Sequence, residues 1–416
     1  MKEFYKRYIK QNLGLINLFG KVTGRLLFLL LTSFFAYELS VKDFAGFAIF
    51  WSTLRMLSFF SANNLYIIYF NQVRESLIHK NSWPKEVSSN IVFTAISFGS
   101  ISAVISYVIF DNLLFAILTF ISLILLILVR NMAEFAKSDN SLFLSIFVED
   151  FLFYFLFFVS GVIAISISNS LIAIIFSLFL SILITTICCL TLFKKKFKLK
   201  INTYKINIQD LSLENFKLGI NYNILRGNEF LSNFGVRYLG QIYFGDTFVS
   251  YTHIMYQFYN LFALLTMSVI SGFQSKITIN NQANFTRLFI KNKYLKIIKT
   301  IAPFVIFSIL IIGVLSTQIL TFVFPKYVEY DALLVKVSYI GFIFLLIQPL
   351  VFVFIYNKKI TNLKSLNLTQ YVVMFFIYLI PLIFVHFNEQ NWLLLCMTSF
   401  IIIQGVFTMQ NFKNIK

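Results

Sequence analysis

Apolar stretches long enough to cross a bilayer recur along the whole chain, and that recurrence confines it to helices in a membrane. Twelve can be counted, at roughly 13–36, 44–70, 88–110, 113–130, 141–163, 169–193, 214–240, 247–272, 301–324, 333–356, 366–386 and 391–411. About 20 helical residues span the hydrocarbon, and in lipid a helix satisfies its backbone polar groups within a single segment. The chain is 58% hydrophobic and 12% charged, against about 25% charged in soluble domains. The expected fold class is all-α and polytopic, with about 12 transmembrane helices and no room for a sizeable soluble domain.

The formal charge of +18 does not point to nucleic acid, because no soluble module with basic and aromatic residues interleaved is present to bind it. Its placement reads instead as topology. The N-terminal tail, 71–87, 131–140, 194–213, 273–300, 357–365 and the C-terminus carry nearly all the lysines and arginines outside the spans. The alternate turns are short and hold little more than Lys42 and Lys326. By the positive-inside rule both termini are expected in the cytoplasm. The basic N-terminus leads into an apolar run without an A-x-A-like cleavage site, read as a retained first helix rather than a signal peptide. The strongly basic break at 194–213 divides residues 1–193 from 214–416, giving two expected halves of six helices each. Its KKKFKLK run reads as an anchor on anionic headgroups of membrane lipids.

Four cations lie inside the spans at depth. In LGLINLFGKVTGRLLFLLLTSFFA (13–36), Lys21 and Arg25 are four residues apart and so share a helical face. Arg55 falls near the middle of the second span, and Arg226 lies within the seventh. The fifth span holds the adjacent pair Glu149 and Asp150. In the seventh, Tyr222, Arg226, Glu229, Asn233 and Arg237 follow helical steps of three and four, a polar stripe on an apolar helix. The eighth adds Tyr251, His253, Tyr256, Gln257, Tyr259 and Asn260.

Each group has a purely structural reading. Glu149 or Asp150 can pair with Arg25, Arg55 or Arg226 to hold the bundle together, and Glu229 can satisfy Arg226 one turn away. Arg237 and Lys336 lie near an interface, where long cationic side chains snorkel. His253 reads first as a hydrogen-bonded interior residue. Against this stands arithmetic: Lys21, Arg25, Arg55 and Arg226 face only Glu149, Asp150 and Glu229. At about 2.5 kcal/mol for each cation in lipid, the cluster would cost about 10 kcal/mol. A surplus of buried positive charge implies an anion that visits it. The expected picture is a central cationic cavity in which Lys21, Arg25, Arg55 and Arg226 bind the anion. Glu149, Asp150, Tyr222, Glu229, Asn233, Arg237 and His253 would line it or couple it to an ion.

Several chemistries find no support. GLINLFGKV lacks the phosphate-loop spacing and its Ser or Thr, so transport driven by the chain's own ATPase is excluded. The histidines His79, His253 and His386 show no ligand spacing, and Cys188, Cys189 and Cys396 sit in apolar runs as small core residues. No metal or resident cofactor is expected. A membrane-embedded glycan polymerase or ligase is the enzymatic competitor, yet it needs positioned carboxylates or a sizeable aqueous loop. Adjacent Glu149 and Asp150 point about 100° apart on a helix, so a non-enzyme is expected. Pro349 and Pro381, inside the tenth and eleventh spans, can kink them and free backbone carbonyls.

Two segments resemble a known family. They are NLFGKVTGRLLFLLLTSFFAYELSVKDFAGFAIF at 17–50, a basic first helix followed by a turn with Ser, an acid and Phe-x-Gly, and NFGVRYLGQIYFGDTFVSYTHIMYQFYNLFALL at 233–265. The chain is similar to Wzx-type flippases of bacterial polysaccharide export, in the multidrug/oligosaccharidyl-lipid/polysaccharide superfamily, whose architecture is MATE-like. The resemblance implies movement of an undecaprenyl-diphosphate-linked oligosaccharide, an O-antigen or capsule repeat unit, across the bacterial cytoplasmic (inner) membrane by alternating access. It puts Arg25, Arg55 and Arg226, with Lys21, at the diphosphate, and tyrosines and asparagines of the seventh and eighth spans at the sugars. It also implies a polysaccharide polymerase and chain-length machinery as partners, with proton or sodium coupling through Glu149 or Asp150. Leu26 follows Arg25, where the family's cell-wall relative has an acid. The alternative of the same fold is a drug or metabolite exporter, which a cavity rich in acids would suit better.

Overall fold

The computed structural model describes residues 2–75, 85–136, 144–145, 147–197, 234–277, 287–356, 363–384 and 387–413. They form helices α1 (Lys2–Glu38), α2 (Val41–Glu75), α3 (Lys85–Phe110) and α4 (Leu113–Ala136), then α5 (Phe153–Ile167) and α6 (Leu171–Phe197). The chain continues with α7 (Val236–Phe244), α8 (Asp246–Ile277), α9 (Arg287–Val323), α10 (Asp331–Tyr356), α11 (Leu363–Ile383) and α12 (Glu389–Lys413). A π-helical turn, Phe147–Leu152, leads into α5, and a 3₁₀ turn, Pro325–Tyr330, leads into α10. No strand occurs among the described residues, and each expected span coincides with a helix, the seventh only at its end. Seven of the described helical segments are long and apolar enough to cross a membrane. The protein is thus a multi-pass membrane protein of all-α class.

Local sequence explains the helix ends. Ser40 Oγ accepts from the Asp43 backbone N–H at 3.1 Å and donates to its carboxylate at 2.8 Å, starting α2. Asn112 Oδ1 caps α4 through the Leu114 N–H at 2.9 Å, and Asn388 Oδ1 caps α12 through Gln390 at 2.9 Å. Between α7 and α8 the chain turns at Gly245, whose φ of 85° suits a residue without Cβ.

The chain forms two compact units, residues 23–234 and residues 1–22 with 235–416. In the first, α4 packs against α2, α3 and α6, and α5 packs on α6. An aromatic core runs through it: Phe28, Phe35, Phe47, Trp51, Phe153 and Phe157 are all buried. Trp51 stacks on Phe153 with ring centroids 6.1 Å apart and meets Phe28 in a tilted pair at 4.9 Å. In the second unit α10 packs against α8, α9 and α12. Helix α8 is buried on every side from Ser250 to Tyr259, as a central helix must be. Outward faces carry Val104, Val108, Ile163, Val314 and Phe322, large apolar side chains that suit lipid.

Candidate functional site

In the unit of residues 23–234, three charged side chains meet at one narrow cleft. Helix α2 brings Arg55 and α4 brings Arg130, while the π-helical turn brings Glu149. Phe153 of α5 and Thr185 of α6 line the same narrow cleft. Arg130 is 4% exposed. Its Nε lies 3.6 Å from Glu149 Oε1, and its Nη1 donates to Ser58 Oγ at 3.0 Å. Arg55 lies within electrostatic reach of Arg25, Arg130 and Glu149.

Aromatic faces hold two of the three guanidiniums. The Arg25 Cζ lies 5.4 Å from the centre of the Tyr154 ring, and the Arg55 Cζ lies 5.5 Å from that of Trp51. Such contacts stabilise a desolvated cation by about 2 kcal/mol and engage the guanidinium plane, whereas its N–H donors radiate in that plane. The backbone is tuned to this cluster as well. Gly24 lies against the main-chain carbonyl of Asp150, so closely that a Cβ there would overlap it. Arg25, next in sequence, is thereby fixed beside the turn that carries Glu149 and Asp150. A π-turn inside a membrane helix is uncommon and recurs at functional sites. Three arginines and two carboxylates leave this end of the unit with a surplus positive charge, the condition for attracting an anion.

The remaining expected residues divide. Lys21 is half-buried one helical turn before Arg25 on α1. Tyr222, Arg226, Glu229 and Asn233 lie outside the described residues. Arg237, expected to reach an interface, is instead 2% exposed. Its Cζ sits 5.2 Å from the Tyr256 ring centre, so the ring covers the flat face of the guanidinium. His253 is buried beside it, with Nε2 at 3.1 Å from Gln257 Nε2. The eighth-span tyrosines expected to meet sugars are also interior. Tyr251 is buried and stacks on Tyr330 with centroids 4.2 Å apart, while Tyr256 and Tyr259 are buried with it. These residues build the core of their unit in this structure rather than line a polar surface. Glu149 forms an ion pair with Arg130, a partner that the sequence does not single out.

Arg130 is the residue that sequence reasoning missed. It ends the apolar run LLFAILTFISLILLILVR (113–130), a place where an arginine reads as an ordinary interfacial cation. Helix α4 continues to Ala136, which carries Arg130 inside the packed unit. No cluster of metal-binding side chains occurs among the described residues.

No protein-family model matches the chain, and no curated protein sequence matches it. Its similarity to known proteins lies in the fold. The inward closed form of the lipid II flippase MurJ superposes with a TM-score of 0.71 at 16% identity, over 96% of this chain and 88% of that one. The inward-facing form of a multidrug resistance MATE family transporter of the MOP superfamily gives 0.61 at 14% identity, over 94% and 98%. A MOP superfamily transporter from Pyrococcus furiosus, described as having a binding pocket of reverse polarity, gives 0.60 at 12% identity, over 97% and 95%. The fold is that of the MATE transporters and MurJ.

Proposed function

We propose that this protein is a flippase for an anionic, lipid-linked oligosaccharide, carried as the undecaprenyl diphosphate across the bacterial cytoplasmic membrane. The observation that supports the reading is the cleft where Arg55 and Arg130 meet the single carboxylate of Glu149, with Arg25 in electrostatic reach. Bare diphosphate cannot enter hydrocarbon, whereas arginines in a polar cleft can neutralise it through charge-assisted, bidentate hydrogen bonds. The polyprenyl chain stays in lipid while the headgroup moves, and alternating access exchanges the face to which the cleft opens. Both termini lie in the cytoplasm in this reading, Arg226 and Lys21 add to the anion site, and Glu149 or Asp150 couples the cycle to protons or sodium. The O-antigen or capsule repeat unit is the substrate of choice, delivered to a polymerase at the outer face. The shared fold with a lipid II flippase supports the class of cargo; the surplus of arginines disfavours export of organic cations.

The test is display of the lipid-linked glycan at the outer face of cells that have or lack the protein, beside Arg25→Ala, Arg55→Ala and Arg226→Ala at matched protein levels. The expected result is loss of display without the protein and with each variant. Normal display in cells lacking the protein overturns the flippase and returns the fold to small-molecule export.

A further inference from the structure

The cleft already holds an anion of its own. We propose that Glu149 is an internal stand-in for the cargo's phosphate, occupying Arg130 when the site is empty and yielding it when the cargo enters. The inference rests on the anion-binding reading above and assigns Arg130, so far outside any expected site, to the cargo.

Four observations carry it. Arg130 is buried and locked in place by Ser58 at 3.0 Å, so it is a fixed donor rather than a mobile surface cation. Glu149 is the more accessible partner, with 22% of its side chain exposed against 5% for Arg130. The two side chains form an ion pair, with Nε and Oε1 3.6 Å apart, an electrostatic contact that another oxyanion can take over. Finally, Glu149 rides on the π-helical turn Phe147–Leu152, whose fourth residue lies against Gly24 of α1 through its carbonyl.

The physics favours exchange over simple occupation. A buried guanidinium left with no counter-charge costs several kcal/mol, so an anion site that must also exist empty needs a resident anion. Swapping one anion for another at Arg130 keeps the local charge balanced through both halves of a cycle. A π-turn has one residue more than an α-turn, and relaxing it to α geometry turns the residues on one side by about 100°. That rotation withdraws Glu149 from Arg130. Because the same turn bears on Gly24, the withdrawal is felt on α1 beside Arg25, which ties cargo arrival to a helix movement.

The experiment measures binding of inorganic pyrophosphate to the full-length protein in lipid nanodiscs by calorimetry. Glu149→Gln should bind about tenfold more tightly than wild type, since it removes the competitor and keeps the shape. Arg130→Gln should bind about tenfold more weakly. The double variant removes both members of the pair, and should bind as weakly as Arg130→Gln alone, because losing Glu149 helps only where Arg130 is present. Equal or weaker binding by Glu149→Gln, or a double variant that binds more tightly than Arg130→Gln, overturns the exchange. Should Arg55→Ala abolish binding while Glu149→Gln leaves it unchanged, the exchange alone fails and the anion site stands. No binding by wild type overturns both.

Discussion

The indole N–H of Trp392 donates to the main-chain carbonyl of Ile377 at 2.9 Å, and that carbonyl stands four residues before Pro381 in α11. Proline has no N–H to give it. A side chain from α12 thus replaces the helical bond that α11 lacks, in a place where a bare carbonyl is costly. Trp392 is fully buried, and Phe244 and Phe248 hold its ring with centroids 5.6 Å away in each case.

A double substitution tests this relationship. Trp392→Phe keeps an aromatic ring but removes the donor, and should lower stability by about 1–2 kcal/mol. Pro381→Ala restores the N–H to the helix, so Trp392→Phe should cost less in that background. Thermal unfolding in detergent reads both; equal costs in the two backgrounds would mean that the indole bond does not substitute for the missing helical one.

What the sequence could and could not reveal follows from where each signal resides. A membrane span is local, written in about 20 neighbouring residues, so the positions of the described helices other than α7 were legible before any packing was known. Arg25 and Arg55 were conspicuous for the same reason, as cations within apolar runs. Arg130 was not, since the end of an apolar run is an ordinary place for arginine. Its burial is decided by Ser58 on α2 and Glu149 on the π-turn, partners distant in sequence. Arg237 misled in the same way, because the ring that covers it, Tyr256, belongs to the next helix. The π-turn itself is a choice of backbone register that residue types do not announce.

Arg237 and Tyr256 should prove energetically coupled. A buried guanidinium over a ring is expected to gain about 2 kcal/mol when desolvated. In a double-mutant cycle with Arg237→Met and Tyr256→Leu, the coupling energy should approach that figure. Arg237→Met alone should be close to neutral, because an apolar replacement removes the desolvation cost together with the contact. A coupling near zero would show that the ring merely fills space beside the cation.

Within the second unit, Gln348 of α10 donates to Gln404 of α12 at 2.6 Å, both residues being buried. Interhelical bonds of this kind contribute about 0.6 kcal/mol in a membrane protein, rising to about 1.7. Gln404→Leu leaves Gln348 without this partner and should destabilise the protein by about 1 kcal/mol or slightly more. Replacing both by Leu removes both polar groups and should recover much of the loss. Resistance to unfolding by a denaturing detergent orders the three proteins, and a double variant weaker than the single one would contradict the pairing.

Gly24 offers the sharpest steric test of the cleft. Any Cβ at this position would overlap the carbonyl of Asp150, which is backbone and cannot swing aside as a side-chain tip would. Gly24→Ala must therefore push α1 away from the π-turn. Overpacking typically costs about 1–3 kcal/mol, and here the displacement also separates Arg25 from the Glu149 turn. The neighbouring Leu26→Ala serves as control, since Leu26 is 46% exposed on the outer face of the same helix and should change stability by less than about 0.5 kcal/mol. Pyrophosphate binding by Gly24→Ala should weaken even where the protein remains folded, whereas Leu26→Ala should bind as wild type. If both variants bind alike, the contact between α1 and the π-turn holds the helix in place without shaping the anion site.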